Sequence, residues 1–346
     1  MQYVKQIEIE EVLHRPEQYL LVDVRTAAEY NEGRILGSIN IPLFDEAERE
    51  RIGLVYRKSP RAARFLAMDI VSPKISPFVR KVHGKCRDKT PVALCWRGGL
   101  RSLAAVQLLG LAGIEALQLR GGYKHYRQHI YHQLENYVLK NQVIVLKGKS
   151  GTGKTDILAL LADKGYPVLD LEKLANHRGS TFGGHELVPE TQKNFDSLLL
   201  AELRRLEGKK WLLVEGESKR IGNVYLPDFL FAAMRNAPVI AVEGSLDRRV
   251  SRILRDYTPK TREARLGMYR ALARLRYRLA KATFIELKQC LDREDYCRFV
   301  ELILTSHYDK SYDHQLPGKE VLLTVNSDNA KRAAEEIAAL LDNPIG

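Results

Sequence analysis

The sequence predicts an α/β protein with two domains, each built on a mostly parallel sheet. Three observations lead to this prediction. The chain is 346 residues long, which is enough for two domains of ordinary size. Short apolar runs alternate with longer helix-like stretches in both halves, as they do in βαβ units. Residues 148–155 form a glycine-rich loop between a predicted strand and a predicted helix, near the start of the second half.

The first half contains four stretches that we interpret as strands or as a turn with a strand. They are Leu20–Arg25, Gly33–Pro42, Pro91–Cys95 and Ile114–Leu119. Helix-like sequence separates them, with prolines breaking the charged residues 44–85 and an apolar helix predicted over Leu103–Leu111. We predict a first domain over residues 1–125 and a polar, helical connector over residues 126–140.

The second half opens with a complete phosphate-binding motif. Gly148–Thr155 fits the pattern G-x-x-x-x-G-K-[ST] without a mismatch, and it lies between a predicted strand, Gln142–Lys147, and a predicted helix, Asp156–Asp163. In this context backbone N–H groups bind phosphate oxygens at a helix N-terminus. Lys154 is expected to neutralise a terminal phosphate, and the Thr155 hydroxyl to reach Mg²⁺. The predicted phosphate ligands are Gly148, Ser150, Gly151, Thr152, Gly153, Lys154 and Thr155.

Acidic residues follow two further strands of this half. The predicted strands are Tyr166–Leu171, Trp211–Glu215, Pro238–Glu243 and Val321–Val325. Asp170 and Glu215 lie at strand ends, where ligands bind and where a carboxylate can hold Mg²⁺ through water. Glu217 is near enough to share that role or to act as a base, although it could equally be a solvated loop acid. We predict a second domain with a parallel sheet over residues 141–346.

Composition points to a polyanionic partner in a reducing compartment. Lys and Arg total 55 against 43 Asp and Glu, a formal net charge of +12, which favours nucleic acid but also fits an ordinary basic enzyme. The four cysteines form no C-x-x-C pair and show no zinc spacing. Neither an apolar signal core nor a run approaching about 18 apolar residues is present, so we expect a cytoplasmic protein without membrane contact.

The basic residues concentrate in a helical segment at about residues 247–281. This segment contains twelve Lys or Arg and three Asp or Glu, with Tyr257, Tyr269 and Tyr277 among them. Arginines can pair with phosphates and tyrosines can stack on unpaired bases, while a solvated basic face is the alternative. The predicted RNA ligands are Arg262, Arg265, Arg270, Arg274 and Arg278. The earlier arginines, Arg248, Arg249, Arg252 and Arg255, could instead fold over a diphosphate.

Cys95 is the candidate nucleophile. It ends a predicted strand and is followed by Trp96-Arg-Gly-Gly-Leu-Arg-Ser102 and then by an apolar helix. Loop amides, the helix dipole and the charges of Arg97 and Arg101 favour a thiolate at such a position. A thiolate held by N–H groups can attack an electrophile or carry a transferable atom. The alternative is a buried structural cysteine.

The first half resembles a rhodanese domain. The resemblance rests on Asp23-Val-Arg25, on Glu29-Tyr30, on Gly33-x-Ile-x-Gly-Ser-x-Asn-Ile-Pro42 and on the Cys95 loop. Two features depart from that family. Arg34 stands where many rhodaneses have His, and the Cys-x5-Arg loop is one residue longer than the usual sulfurtransferase loop. The longer loop is similar to that of rhodanese-related dual-specificity phosphatases, so loop length alone leaves phosphatase chemistry open.

Together, the rhodanese-like half and the P-loop half resemble the bacterial tRNA 2-selenouridine synthase family over nearly the whole chain. Further similar residues are Asn176–Ser180, Phe182–Gly184, Glu215–Ser218 and Ile221-Gly222. The resemblance implies a fold with a rhodanese-like domain followed by a P-loop NTPase-like α/β domain. It also implies a transferase that geranylates the wobble 2-thiouridine sulfur of tRNA and then replaces the S-geranyl group with selenium from selenophosphate.

The same resemblance implies a set of partners. They are the anticodon region of tRNA, geranyl diphosphate and selenophosphate, with selenophosphate synthetase as a further candidate. The expected cofactor is the Mg²⁺ ion indicated by the P-loop, and no haem, flavin or zinc is expected. Val224–Met234 is a candidate lining for the terpenyl chain, although a buried core helix fits its apolar pattern better. Two rival functions stay open. One is an ATP-dependent kinase or NTPase with a regulatory rhodanese module, and the other is a non-catalytic RNA-binding adaptor.

Overall fold

The computed structural model describes residues 4–177, 188–312 and 318–343. It divides into two compact units, the first comprising residues 1–136 with 196–200 and the second comprising residues 137–195 and 201–346. Each unit has its own parallel sheet, so the predicted fold class of two α/β domains is confirmed. None of the described helices is long and apolar enough to cross a membrane.

The first unit is built on a five-stranded parallel sheet. Its strands are β1 (Gln6–Ile7), β2 (Tyr19–Asp23), β3 (Ile39–Asn40), β4 (Thr90–Leu94) and β5 (Leu117–Leu119). They lie in the order β1-β5-β4-β2-β3, which places β4 at the centre, paired with β2 and β5. Ala93 and Val22 lie in the core cluster on this sheet, as expected for a parallel sheet.

Helices surround this first sheet. They are α1 (Ile9–His14), α2 (Ala27–Glu32), α3 (Glu46–Lys58), α4 (Pro60–Val71), α5 (Ile75–Cys86), α6 (Leu100–Leu111) and α7 (Gly122–Glu135), with a short 3-10 turn at Ser72–Lys74. Helix α7 covers most of the predicted connector. Its buried residues, Tyr123, Tyr126, Ile130 and Leu134, recur at helical spacing and form one apolar face, so this stretch packs as a helix within the first unit.

A buried ion pair fixes the chain after β2. The Arg25 guanidinium donates to both carboxylate oxygens of Asp23, with Nε–Oδ1 and Nε–Oδ2 distances of 3.0 Å, and to the Gly33 carbonyl at 2.7 Å. Both side chains are fully buried, and the guanidinium stacks 4.0 Å from the Tyr123 ring centroid. Charges can be buried in this way because hydrogen bonds replace the lost water.

The second unit contains another five-stranded parallel sheet and a two-stranded hairpin. The strands are β6 (Gln142–Lys147), β7 (Val168–Leu169), β8 (Trp211–Glu215), β9 (Arg220–Ile221), β10 (Val224–Tyr225), β11 (Val239–Glu243) and β12 (Val321–Asn326). The order β12-β11-β6-β8-β7 places β6 at the centre, and β9 pairs with β10 in the hairpin. Strand β7 is shorter than predicted, because the Asp170 side chain accepts the Lys173 N–H and starts a helix at Leu171.

The helices of the second unit form two groups. The first group comprises α8 (Lys154–Asp163), α9 (Leu171–Ala175), α11 (Asp228–Asn236) and α17 (Ala330–Asp342), together with α10 (Gln192–Arg205) outside its residues 196–200. The others are α12 (Leu246–Tyr257), α13 (Arg262–Arg274), α14 (Lys281–Asp292), α15 (Tyr296–Ile303) and α16 (Asp309–Tyr312), with a 3-10 turn at Arg276–Arg278 and a π-helical turn at Leu304–Tyr308. This second group has its own core, which includes Met268, Leu287 and Phe299.

Candidate functional sites: the cysteine loop and the phosphate loop

The loop after β4 turns tightly around Cys95. Gly98 and Gly122 adopt φ values of +64° and +59°, in the region that favours glycine. A Cβ on Gly122 would lie 2.3 Å from the Cys95 carbonyl oxygen and 2.5 Å from the Gly98 nitrogen. The backbone N–H of Tyr123 donates to the same carbonyl at 2.9 Å. The start of α7 therefore packs against the cysteine loop where no side chain fits.

Two donors lie beside the Cys95 sulfur. The Gly99 backbone N–H donates to Sγ at 3.2 Å, and the Ser102 hydroxyl lies 3.2 Å from Sγ. The Gln118 side-chain amide donates to Ser102 Oγ at 3.0 Å and to the Gly98 carbonyl at 2.9 Å. Cys95 is 3% exposed. The Cys95 thiol is therefore buried and held by polar neighbours.

The two arginines of the loop are in different environments. Arg101 donates to both carboxylate oxygens of Glu29, at 2.6 and 3.1 Å. Arg97 is exposed. Arg101 is therefore held in place as a fixed cation near the sulfur, while Arg97 is available to an anion arriving from solvent.

The phosphate loop depends on three glycines. Gly151 and Gly153 have φ values of +79° and +75°, and Gly153 directly precedes α8. A Cβ on Gly148 would lie 2.3 Å from the Val242 carbonyl oxygen. The Thr152 hydroxyl donates to the Lys149 carbonyl at 2.8 Å and fixes the turn. The loop thus leads into a helix N-terminus, the arrangement that binds phosphate.

Lys154 and Thr155 both contact the acid at the end of β8. Thr155 Oγ1 donates to Glu215 Oε2 at 3.1 Å, and Lys154 Nζ lies 3.4 Å from Glu215 Oε1. Lys154 also donates to the Gly148 carbonyl at 3.0 Å. The structure therefore brings together the predicted lysine, hydroxyl and strand-end carboxylate.

The charge of Glu215 repels the carboxylates of two further acids, Glu217 and Asp170. Burial, and then repulsion from Glu215 and Asp170, raises the pKa of Glu217 to about 7. Burial, followed by repulsion from Glu215 among other groups, also raises the pKa of Asp170. Glu215 Oε2 and the Thr155 hydroxyl, 3.1 Å apart, are oxygen ligands of the kind that a hard divalent ion prefers.

Arginines of α12 lie against the phosphate loop. Arg249 is buried, donates to the Ser150 carbonyl at 2.9 Å and pairs with Asp309. The Arg252 side chain lies so close to Gly153 that a Cβ there would be 2.9 Å from its Nε. The sequence left open that some of these arginines fold over a diphosphate, and the fold places Arg249 and Arg252 beside the phosphate loop.

The candidate RNA ligands of α13 and the turn after it divide into two kinds. Arg262, Arg270, Arg274 and Arg278 are exposed, and Tyr277 is 93% exposed. Arg265 instead pairs with Glu294 and donates to the Leu291 carbonyl at 3.0 Å. Arg265 is thus engaged within the second unit. The side chain of Tyr257 lies outside the described residues.

Sequence comparison assigns a family to this arrangement. Residues 7–129 match the family model of the rhodanese-like domain, and residues 141–339 match that of the tRNA 2-selenouridine synthase AAA domain. The chain belongs to the tRNA 2-selenouridine synthase family. A family member from Shewanella woodyi is 31% identical over 87% of this chain and 89% of its own length. Another family member, from Cupriavidus necator, is 32% identical over 90% of this chain and 92% of its own length.

Two segments that support the resemblance to the tRNA 2-selenouridine synthase family meet in the fold. Gly222 has a φ of +56°, and a Cβ there would lie 2.6 Å from the His177 ring. Burial lowers the pKa of His177, and its Nδ1 is buried without a hydrogen-bond partner among the described residues. Asn176-His177 and Ile221-Gly222 are therefore one packed feature. Arg178–Ser180 and Phe182–Gly184 lie outside the described residues.

Sequence reasoning missed Gln118 and assigned no role to Ser102. Ser102 was visible only as the last residue of the cysteine motif, and Gln118 lies within a predicted strand with no catalytic pattern around it. The sequence signal for Gln118 is a polar residue within an otherwise apolar strand. In the structure its side chain is 3% exposed, and a buried polar side chain of this kind needs hydrogen-bond partners. In the candidate terpenyl lining, the structure agrees with the alternative of core packing, which fitted the sequence better. Val224, Leu226, Leu230 and Met234 are buried in the core, so they form no open groove here.

Proposed function

We propose that the chain converts the wobble 2-thiouridine of tRNA to 2-selenouridine through an S-geranyl intermediate. The observation that carries the proposal is the pairing, in one chain, of a hydrogen-bonded thiol with a complete phosphate loop. Relatives named tRNA 2-selenouridine synthase support tRNA as the substrate. Geranyl diphosphate is the proposed alkyl donor and selenophosphate the proposed selenium donor.

The phosphate loop serves the alkylation step in this proposal. The thiocarbonyl sulfur attacks C1 of geranyl diphosphate, the carbon–oxygen bond breaks, and diphosphate leaves with the electron pair. Loop N–H groups and Lys154 stabilise that charge, because it grows as the bond breaks. Thr155 and Glu215 would hold Mg²⁺, with Asp170 and Glu217 nearby, and the ion would supply further positive charge.

The cysteine loop serves the selenium step. Alkylation turns the sulfur into a thiol leaving group, so the selenium of selenophosphate can add at C2 and expel geranylthiol. Water then breaks the phosphorus–selenium bond, phosphate leaves, and selenium stays on C2. We assign Cys95 to this step because its sulfur is held by Gly99 and Ser102. The exposed Arg97 and the fixed Arg101 favour an anionic donor there. Arg262, Arg270, Arg274 and Arg278 are the proposed tRNA contacts of the second unit.

Mass analysis of tRNA nucleosides tests the proposal. The wild-type chain is given tRNA with 2-thiouridine, geranyl diphosphate and selenophosphate, and S-geranyl and then seleno nucleosides are expected. Lys154→Ala should lose geranylation, and so selenation of thiolated tRNA, while still selenating tRNA that is supplied already geranylated. Cys95→Ala should show the reverse pattern, with geranylation kept and selenation lost.

Three outcomes would contradict the proposal. Release of phosphate from ATP with no change in tRNA mass would favour a P-loop NTPase. Normal selenation by Cys95→Ala would remove the thiol from the reaction. Equal loss of selenation on both tRNAs by a folded Lys154→Ala that still binds tRNA would show that the P-loop serves the selenium step too.

A further inference from the structure

A helical hairpin of the first unit exposes large apolar side chains. Helices α3 and α4 follow β3, and Ser59 both ends α3 and caps the start of α4, so no loop separates them. No residue of α3 is buried, and Ala63 is the buried residue of α4. Phe65 is 60% exposed and Met68 is 65% exposed. Exposed apolar side chains that lie together commonly mark a contact surface.

The same hairpin is strongly basic at its turn. Between residues 51 and 68 the chain has five Lys or Arg and no Asp or Glu. Arg57, Lys58, Arg61 and Arg64 are all exposed. In the part of the chain that the structure describes, these four side chains have no hydrogen bond or ion pair. Their charge is therefore directed at solvent.

The cations and the apolar groups of α4 share one helix face. Positions 61, 64, 65 and 68 follow the spacing i, i+3, i+4 and i+7, which places them side by side along one face. Arg57 and Lys58 lie at the adjoining end of α3. We call these six residues, Arg57, Lys58, Arg61, Arg64, Phe65 and Met68, the hairpin surface.

Helix stability does not account for these arginines. Arg61 lies in the first turn of α4, where the helix dipole disfavours cations, and that turn has no acid to offset it, while Arg64 follows in the next turn. Helix α3 shows the favourable pattern instead, with Glu46 and Glu48 in its first turn and basic residues in its last. A locally unfavourable choice of residues is typical of functional surfaces.

We propose that the hairpin surface binds tRNA, with its cations on backbone phosphates and Phe65 stacked on an unpaired base. This proposal rests on the proposed function, which makes tRNA the substrate. Arginine with exposed aromatic groups is the composition that recognises single-stranded RNA. A second copy of the chain fits less well, because a two-fold contact would place the same four cations opposite one another.

A charge-matched pair of full-length variants tests the phosphate contacts. Lys58→Gln/Arg61→Gln/Arg64→Gln removes three charges from the hairpin surface, and Arg80→Gln/Lys81→Gln/Lys85→Gln removes three exposed charges from α5. Dissociation constants for unmodified tRNA are measured from 50 to 200 mM salt. The hairpin variant should bind tRNA about tenfold or more weakly at low salt. Its plot of log affinity against log salt concentration should be less steep by about 2 to 3. The α5 variant should change tRNA affinity and its salt dependence much less.

Phe65 provides a second, uncharged test. Phe65→Ala should weaken tRNA binding about fivefold or more, whereas Phe65→Tyr should keep it, since tyrosine also stacks on a base. Both substitutions are on an exposed side chain, so circular dichroism should show an unchanged fold. Loss of affinity that is equal in Phe65→Ala and Phe65→Tyr would contradict stacking.

The remaining outcomes separate this inference from the proposed function. If the wild-type chain binds and modifies tRNA but the hairpin and α5 variants behave alike, the hairpin surface alone is wrong. If the wild-type chain does not bind tRNA, the proposed function fails as well. Light scattering could instead show a wild-type dimer that becomes a monomer in the hairpin variant. If the dissociation constant for tRNA were unchanged in that variant, the hairpin surface would be an interface between copies of the chain.

Discussion

A short relay of hydrogen bonds holds the sulfur of Cys95, and it begins at Gln118. The Gln118 amide donates to Ser102 Oγ, which leaves the Ser102 hydroxyl proton free to point at Sγ. The competing acceptor for that proton is the Gly99 carbonyl, 3.1 Å from Ser102 Oγ. A sulfur anion would win this competition, because hydrogen bonds to charged acceptors are the stronger ones.

Removal of the Ser102 hydroxyl should therefore slow the reaction of Cys95. We expect Ser102→Ala to reduce the rate of Cys95 alkylation at pH 7 by about tenfold, which corresponds to losing one charge-assisted hydrogen bond of roughly 1.5 kcal/mol. Iodoacetamide labelling with peptide mass spectrometry resolves Cys95 from the other three cysteines. Ser72→Ala, on an exposed serine of the same unit, is the control. An unchanged rate would mean that Ser102 donates to Gly99 instead.

Glu217, near the phosphate loop, should make the stability of the fold depend on pH. Its folded pKa of about 7 lies well above the ordinary glutamate value, so the folded state keeps a proton that the unfolded state has lost. Stability should therefore fall as the pH rises from about 5 to 8.

Glu217→Gln should remove this dependence. We expect the variant to match the wild type at pH 5 and to exceed it by about 1–3 kcal/mol at pH 8, without added metal. Urea unfolding in EDTA measures this, in a Trp96→Phe background that leaves Trp211 as the sole tryptophan reporter. Parallel pH curves for the two proteins would contradict the assignment.

At the scale of elements, α13 has two faces. Met268, Ala271 and Leu272 pack into the core of the helical group, while arginines point away from it. The part of the basic segment that forms α13 is therefore a core-forming helix with a basic outer face. Arg265 differs from its neighbours because it pairs with Glu294 and donates to the Leu291 carbonyl.

That difference yields a prediction for RNA binding by the second unit. Arg270→Gln/Arg274→Gln/Arg278→Gln should weaken tRNA binding and lower the salt dependence by about 0.7–0.9 for each arginine–phosphate pair removed. Arg265→Gln should leave the salt dependence unchanged, because its charge is already paired. Fluorescence anisotropy with labelled tRNA distinguishes the two. Identical salt slopes for both variants and the wild type would assign the exposed arginines to a solvated face.

At the scale of the whole molecule, each unit carries its candidate site at the carboxyl edge of its own parallel sheet. Cys95 directly follows the central strand β4, and the phosphate loop directly follows the central strand β6. Glu215 ends β8, next to β6. Ligands bind at this edge because loops and helix N-termini converge there. The two proposed half-reactions thus have separate supports within one chain.

The sequence by itself determined the two α/β domains, the P-loop and the nucleophile position. These follow from local rules: glycines at fixed spacing, apolar runs of strand length and a cysteine at a strand end. Strands β6 and β8 were predicted with their bounds, Gln142–Lys147 and Trp211–Glu215, for this reason. The end of β7 was predicted less well, because a side-chain cap by Asp170 ends it.

Only the tertiary structure decided which distant residues meet. Gln118 reaches Ser102 across sixteen positions, and Arg249 reaches Ser150 across ninety-nine. Burial decided the rest: it placed Val224, Leu226, Leu230 and Met234 in the core and left Phe65 exposed, although all are apolar in the sequence. The physical reason is that hydrogen bonds and burial depend on how strands and helices are ordered in space, whereas local patterns report one element at a time.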